Sequence, residues 1–590
     1  MDSKRKRFEV PLPRLEIRPA AALRRAFAKG YGKAELRADL MAGLVVGVVA
    51  LPLAMALAIA SGVPPQHGLY TAIIGGGLIA LLGGSKTQVS GPTAAFVVIL
   101  VPITIKFGIA GLCVASLMAG VILVVLGLLR LGQLLQYVPY PVTTGFTGGI
   151  AVVIATLQVK DFFGLTVEHM PEHYLERVEA LAGAAATARW GEFAIGAFTL
   201  AALLLWPKLT TKVPAPLVAL TLATVIAVAL GRLMPGFEVA TIGSRFTYLV
   251  DGELRHGIPQ APPLPVLPWL LAGADGTPLG LSFSTIRALL PSAFAIAMLG
   301  AIESLLSATV ADGMASTKHD PNAELIAQGV GNIAAPFFGG FAATGAIART
   351  ATNIRSGAKS PIAAITHAIF ILVSVLLLAP LVSYLPMASL AALLLLVAWN
   401  MSEVRHFLHT LRVAPRSDVF VLLACFSLTV LFDMVISVTF GIVLASLLFM
   451  RRMSEISGAR MLEEKHHELD EVLPPGVMVY EIAGPLFFGA AQKAMSSLET
   501  TSTKAKVVVF DIEDVPAIDA TGMVNFESAI ERLLHQKTAV VVAGARPQPA
   551  EVLKNAGIEA RDGQLMFTTT VREGIELART LVGRSARSAA

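Results

Sequence analysis

Charge is scarce in this chain. Of its 590 residues only 15% are Asp, Glu, Lys or Arg, and 55% are hydrophobic; a soluble globular protein carries about 25% charged residues. That deficit excludes a surface solvated all round. With a mean hydropathy of +0.70, it points to a polytopic membrane protein. Cysteine is almost missing. Cys113 and Cys425 each stand alone in an apolar segment, which leaves no disulfide framework and no thiolate metal cluster. The net charge of +5 is small and needs no nucleic-acid partner, because basic residues collect in cytoplasmic loops. No nucleophile–base pair, metal-ligand cluster or nucleotide loop stands out, and no GxxxxGK[ST] occurs in the C-terminal region. No enzyme and no resident cofactor are therefore expected. The first 37 residues are too charged for a signal peptide.

Long apolar runs are what the chain has. Twelve are suited to crossing ~30 Å of hydrocarbon: 39–60, 68–83, 109–130, 138–158, 191–206, 215–231, 284–310, 322–338, 361–379, 381–399, 418–432 and 434–450. Two more pieces, 91–106 and 345–356, are short and each begins at a glycine. Fourteen passes put both termini on one side. The arm "DSKRKRF", with Arg130, Lys208, Lys212, Lys318, Lys359, Arg405, Arg412, Arg416, Arg451 and Arg452, makes that side cytoplasmic. Lys86 is read as lying at the inner surface. The expected organisation is an N-terminal arm (1–37), a first transmembrane repeat (38–232), an extracytoplasmic loop (233–283), a second repeat (284–452), a linker (453–467) and a cytoplasmic domain (468–590). In that last domain "VMVYEIA", "KVVVFDIE" and "TAVVVAGA" read as buried strands and "VNFESAIERLLHQ" as a helix, hence an α/β domain.

The short pieces carry the functional argument. "QVSGPTAAF" (88–96) and "FGGFAATGAIARTATN" (338–353) place helix breakers between apolar runs. Non-helical backbone at membrane depth is tolerated only when buried in protein or lining a cavity. Two such pieces at corresponding positions of two halves point to a transporter's binding site. The spacing corresponds: 345 − 91 = 254, and Glu303 follows Pro52 by 303 − 52 = 251. We therefore expect two inverted seven-span repeats, with half-helices that start at Gly91 and Gly345 and turn their unsatisfied N–H groups on a shared anion. A simple Pro kink is the alternative for "SGP".

Intramembrane ionisable residues are costly and mostly functional. Glu303 in "MLGAIESLLSATVAD" is the candidate for proton coupling, and Arg349 supplies positive charge to the anion or pairs with Glu303. An ionised Glu303 repels an arriving anion and a protonated one does not. Proton and anion then bind with mutual favour, the basis of symport. His367 is read as a satisfied core histidine, and Asp433 as a solvated or capping residue at a turn.

"DLMAGLVVGVVALPLAMALAIASGVPPQHGLYTAII", "QVSGPTAAF" and "APFFGGFAATGAIARTATNIRSGAKSPI" resemble the SulP anion permeases, the sulfate permease family related to animal prestin and pendrin. "VMVYEIAGPLFFGAAQ" and "VPAIDATGM" resemble its C-terminal STAS domain, and "MLGAIESLL", "LLVAWNMSE" and "SLTVLFDMVISV" look closest to a bacterial C4-dicarboxylate branch. The resemblance implies a polytopic helical fold of fourteen spans, a core domain (spans 1–4 and 8–11) moving elevator-like against a gate domain (5–7 and 12–14), and a homodimer in a bacterial inner membrane. Substrate contacts fall on Leu53, Leu57, Gly91, Thr93, Ala94, Gly345, Ala346, Ile347, Ala348 and Arg349, with Glu303 as the coupling residue. Sodium-coupled bicarbonate members carry Asp where Glu303 stands, which favours H+ over Na+. Two positions depart from relatives. Ala348 stands where several animal members have Ser, and Ala520 follows Asp519 where anti-sigma antagonists have a phosphorylated Ser. Asp519 and Thr521 remain regulatory candidates, with helix capping the alternative role of Thr521, and a cytoplasmic protein is the implied partner of the STAS domain. The expected activity is proton-coupled uptake of C4-dicarboxylates such as succinate, fumarate or aspartate. Sulfate or bicarbonate transport is the alternative, and an anion channel or a STAS-output sensor is the rival of another class.

Overall fold

The computed structural model describes residues 20–28, 30–135, 138–167, 170–171, 173–210, 213–234, 236–250, 253–432, 434–462, 465–466, 471–487 and 505–588. The expectations for the "DSKRKRF" arm, Lys212 and Asp433 lie outside these residues. The chain divides into two units, Met1–Ile442 and Val443–Ala590.

The first unit opens with α1 (Ala21–Ala28), α2 (Lys33–Ala60) and α3 (Pro65–Tyr70), which passes through a π turn into α4 (Gly76–Leu82). A two-residue strand β1 (Ser90–Gly91) leads into α5 (Ala94–Leu128). Then come α6 (Gly132–Leu135), α7 (Tyr140–Phe163), α8 (Tyr174–Gly183), α9 (Trp190–Leu209), α10 (Ala215–Leu233) and α11 (Ile242–Arg245), and a hairpin of β2 (Thr247–Val250) and β3 (Glu253–His256). The second half runs through α12 (Phe283–Ala315), α13 (Pro321–Ala334), strand β4 (Thr344–Gly345), α14 (Ile347–Arg355), α15 (Ile362–Val382), α16 (Met387–Ser402), α17 (Val404–Val413) and α18 (Arg416–Leu431), and α19 (Met434–Ile456) begins in this unit and ends in the second.

All fourteen expected passes fall on helix, and nine helices among the described residues are each long and apolar enough to cross a membrane. The boundary expected between 91–106 and 109–130 sits inside α5, at Gly108, whose φ of 66° and ψ of −167° break the helix. A side chain there would meet the backbone of Gly273 at 2.3 Å, so only glycine fits. The pass expected to start at 381 instead starts at Met387. α15 runs on to Val382, and the fixed φ of Pro386 then caps the next helix.

These helices pack as two bundles. α2, α4, α5, α12, α13, α14 and α15 pack on one another, and α7, α9, α10, α16 and α18 form the other set. Where α5 crosses α13, a Cβ on Gly120 would lie 2.7 Å from the Gly329 carbonyl, and one on Gly329 would lie 2.6 Å from that of Gly120. Backbone contact through small residues is how helices attract each other in lipid, where no hydrophobic drive separates them from the tails.

One buried charge holds the start of this architecture and was not foreseen. Asp39, fully buried in α2, accepts from the backbone N–H of Lys359 (2.6 Å) and Ser360 (3.1 Å), the Ser360 hydroxyl (2.5 Å) and the Tyr31 hydroxyl (2.7 Å). It thereby ties α2 to the chain entering α15. Asp39→Ala leaves these donors buried and unsatisfied, and an orphaned donor costs about 1–3 kcal/mol. We expect a large fall in apparent melting temperature of the purified protein, and a smaller one for Asp39→Asn. Burial, then the hydrogen bond to Asp39, push the Tyr31 hydroxyl from 10.0 up to about 12. The tyrosine's stabilising contribution is thus intact below pH 10 and is lost as pH rises toward 12.

The second unit carries a five-stranded sheet in the order β11-β10-β9-β8-β5, with β5 (Gly458–Leu462) antiparallel to β8 (Val477–Ala483). β8, β9 (Val507–Asp511), β10 (Ala539–Ala543) and β11 (Leu565–Thr568) are parallel. A separate two-stranded ribbon pairs β6 (Lys465–His466) with β7 (Glu471–Val472). The apolar runs read as strands are buried on both faces, as parallel strands require. On one face pack α20 (Ala520–His535) and α21 (Pro547–Asn555), and on the other α22 (Val571–Ser588). The stretch expected as a linker, 453–467, contributes β5 to this sheet. Its "GARML" alternates too briefly to be recognised as a strand without its partner.

Candidate functional site

β1 and β4 cross as an antiparallel pair, Ser90 opposite Gly345 and Gly91 opposite Thr344. The chain reaches each crossing extended: Thr93, at φ −123° and ψ 156°, precedes α5, and Ala346, at φ −100° and ψ 110°, precedes α14. Two helices therefore begin beside one another in the middle of the first bundle. Neither start has a side-chain cap, so N–H groups and positive dipole ends are left for a ligand.

The crossing is held by reciprocal bonds. Ala346 N–H donates to the Val89 carbonyl (2.9 Å), and Val89 N–H donates to the Thr350 hydroxyl (3.1 Å). Asn353 Nδ2 donates to the Thr87 carbonyl (2.8 Å). α12 supports it from one side: Thr344 Oγ1 donates to the Gly300 carbonyl (2.9 Å), Gln88 Nε2 donates to Ser304 Oγ (3.0 Å), and Ser307 Oγ lies 3.2 Å from Thr350 Oγ1. Gly300, Ser304 and Ser307 share one helical face.

α13 supports it from behind with residues that pattern reading overlooked. Glu324, Gln328 and Asn332 form a buried polar stripe spaced i, i+4, i+8. Glu324 accepts from Gly84 N–H (2.9 Å) and Ser85 N–H (3.1 Å). Gln328 Nε2 donates to Ser90 Oγ (3.0 Å). Asn332 closes a two-way pair with Ala343, accepting from its N–H (2.6 Å) and donating to its carbonyl (2.9 Å). The signal was present in "ELIAQGVGN", as polar residues on one stripe of an apolar helix.

The two ionisable candidates both reach the crossing. Glu303, partly exposed on α12, accepts from the Thr93 hydroxyl at 3.0 Å. Arg349 is buried, and its Nη2 donates to the Pro92 carbonyl. Its Nη1 lies 2.7 Å from where a Cβ on Gly91 would be, and its Nε has no hydrogen-bond partner among the described residues. Among the described residues no ion pair within 4.0 Å joins Arg349 to Glu303. Arg349 bonds to β1's own chain, which leaves Glu303 on Thr93.

The remaining candidates separate. Thr93 and Ala94 are buried where β1 leads into α5 and Leu57 is buried in α2, whereas Ile347 and Ala348 form an exposed edge at the start of α14. Leu53 packs against Leu203, Ala219, Leu220 and Leu393 of the other bundle, at the seam between the two. His367 is buried, but among the described residues its Nε2 finds no partner, so that nitrogen is not satisfied as the core reading expected. In the second unit Asp519 caps α20, accepting from Gly522 N–H at 2.7 Å. The cap is thus Asp519 and not Thr521, which lies exposed in the first turn because the helix starts one residue earlier, at Ala520.

Comparison with known proteins agrees with this architecture. The Sulfate permease family model matches residues 36–425 and the STAS domain model residues 468–572. The chain is 41% identical over 511 residues to the putative sulfate transporter YvdB of Bacillus subtilis, covering 86% of this chain and 91% of that one. It is 30% identical over 522 residues to the bicarbonate transporter BicA of Picosynechococcus, covering 83% and 85%. Among solved structures it is similar to murine Solute Carrier 26 family member A9, with a TM-score of 0.82 at 16% identity, over 95% of this chain and 94% of that one. It is also similar to the transmembrane domain of a cyanobacterial BicA, with a TM-score of 0.58 at 28% identity, over 70% and 97%. A helical unit with several apolar spans, followed by a STAS domain, is thus common to the structure and the comparisons: the chain belongs to the sulfate permease family of anion transporters.

Proposed function

We propose that the protein is a proton-coupled secondary transporter of a small oxyanion, of the sulfate or bicarbonate class. The observation that carries this reading is the crossing itself. Two uncapped helix starts meet at paired strand residues, with one guanidinium and one carboxyl group beside them. Arg349 is the one cationic side chain among residues 87–94, 300–307 and 344–353. A single positive focus suits a compact anion, and the names of the two relatives, sulfate and bicarbonate transporters, support it. A C4-dicarboxylate, the reading favoured by "MLGAIESLL" and "LLVAWNMSE", is the second cargo. It would set one carboxylate on Arg349 and the other on a helix start.

The two bundles supply parts for an elevator. The crossing belongs wholly to the first bundle, so cargo would travel with it against the second. The distribution of Lys and Arg supports a reading with both termini in the cytoplasm, a bacterial inner membrane is the proposed location, and a homodimer is the proposed assembly. Asp519, as a cap, contributes to the STAS fold, and exposed Thr521 remains available to a cytoplasmic partner.

The test is uptake of labelled sulfate into proteoliposomes with an imposed pH gradient, competed by bicarbonate and by succinate. Uptake is expected to rise with external acid, not to require sodium, and to be inhibited more by bicarbonate than by succinate. Glu303→Gln is expected to transport without responding to the gradient. Gradient-driven uptake that survives in Glu303→Gln removes the coupling role. Succinate displacing sulfate moves the cargo to the dicarboxylate reading. Current that scales with voltage and ignores the pH gradient makes the protein a channel.

A further inference from the structure

His367 is the one ionisable side chain of α15, in an otherwise apolar helix. Such residues are costly in a membrane span and mark function. Its ring hydrogen-bonds the Ala364 carbonyl, one turn earlier. Nε2 has no partner among the described residues, so Nδ1 makes that bond and carries the proton. Nε2 is then a buried acceptor without a donor. Arg349 presents the complement, a buried Nε–H without an acceptor among the described residues. We propose that His367 is a positioning residue of the anion site, holding the Arg349 guanidinium through one buried water. This rests on the reading of Arg349 as the anion's cationic partner.

The fold returns the chain to the level of Arg349. α14 ends at Arg355, 355 − 349 = 6 residues after Arg349, and α15 begins at Ile362, 367 − 362 = 5 residues before His367. At 1.5 Å per residue the chain runs about 9 Å out and about 8 Å back. α4 and the π turn before it (Thr71–Gly75) form a thin spacer between the crossing and α15. A Cβ on Gly76 would lie 2.6 Å from the Ser90 carbonyl oxygen, and one on Gly77 would lie 3.4 Å from the Cβ of Ala368, the residue after His367. A Cβ on Gly91 would lie 2.7 Å from Arg349 Nη1 and 3.7 Å from the Cα of Ala72, in the π turn. Missing side chains thus let β1 and α15 close on the same turn of chain. The Arg349 charge acts on His367 across it.

The two atoms do not bond each other directly. A water between them accepts from Arg349 Nε–H and donates one O–H to His367 Nε2, so a single molecule satisfies both. Leaving either atom alone in an apolar interior is costly. Nη2 is already held by the Pro92 carbonyl. A second anchor at Nε fixes the guanidinium plane at two points and leaves Nη1 to face the anion.

The experiment uses the purified full chain, in detergent for melting temperature and in proteoliposomes for initial rates of labelled sulfate uptake. His367→Leu removes the acceptor and keeps an apolar side chain in the core. His367→Met takes its place if that protein does not fold. His367→Gln restores an acceptor oxygen near the position of Nε2. If His367 only filled space, leucine would serve as well. We expect His367→Leu to raise the KM for sulfate roughly fivefold or more with kcat within about twofold of the parent, since the loss falls on anion binding. His367→Gln should return KM to within about twofold of the parent.

The link between the two side chains is read separately from transport. Arg349→Lys keeps a positive charge and lacks Nε. Its melting-temperature shift and that of His367→Leu should be non-additive in the double variant, because both remove a partner of the same water. If the parent takes up no oxyanion, the proposed function fails and this cycle alone decides the link: coupling supports it and additivity overturns it. In a transporting parent the positioning role is overturned by a KM in His367→Leu equal to the parent's, by a His367→Gln protein that behaves like His367→Leu, or by an additive cycle.

Discussion

Arg349→Ala is expected to abolish measurable anion uptake while the protein still folds. Truncating one partner of a buried charged contact costs about 2–5 kcal/mol, and each 1.4 kcal/mol is a factor of ten, so uptake should fall roughly 30-fold to several thousandfold. The loss has two sources. The guanidinium supplies the one side-chain positive charge among residues 87–94, 300–307 and 344–353. It also orders the chain entering α5, by donating from Nη2 to the Pro92 carbonyl. Arg349→Lys separates them. An ammonium keeps the charge but lacks a planar fork that can hold Pro92 and face an anion together. We expect it to retain under a tenth of parental uptake and to bind anion more weakly. The checks are initial rates of labelled sulfate uptake, with melting temperature as the control for folding. An Arg349→Ala protein that folds and transports within threefold of the parent would refute the role.

Gly345→Ala is expected to be nearly as damaging, for a steric reason. A Cβ there would sit 1.9 Å from Gln88 Nε2 and 3.2 Å from the Cα of Ser304. Gln88 would have to leave Ser304 Oγ, its partner at 3.0 Å, and β4 would be pushed from β1. Overpacking costs about 1–3 kcal/mol and an unsatisfied buried amide a similar amount. The consequence should appear as lost uptake together with a lower melting temperature. Gln88→Ala should relieve the collision, so Gln88→Ala/Gly345→Ala should be more stable than the two single effects added together predict. This non-additivity is the signature of direct contact. Strict additivity in the cycle would mean that the two residues do not meet.

The legible part of this protein was the part written locally. Gly91 and Gly345 were found because a breaker between apolar runs is visible in any window, and the two turn out to lie in strands that pair with each other. Asp39 was missed because one acid at the edge of an apolar run looks like a solvated boundary residue. Its partners, Lys359 and Ser360, are more than 300 residues away. Glu324, Gln328 and Asn332 were missed because attention to ionisable residues passed over a stripe in which only one member carries charge. The pairing of Glu303 and Arg349 was open in the sequence. Each finds a different partner, Thr93 and Pro92, on the short link from β1 into α5.

By itself the sequence determined which segments are apolar helices, where they break, and that a small α/β domain follows. Transfer into hydrocarbon and helix breaking depend on composition over a few neighbouring residues, so they need no knowledge of the rest of the chain. Only the tertiary structure decided what faces what: that Glu303 meets Thr93 and that Arg349 turns to Pro92. Those two contacts join residues 210 and 257 positions apart, and a hydrogen bond is settled by how the helices cross, which no local pattern records.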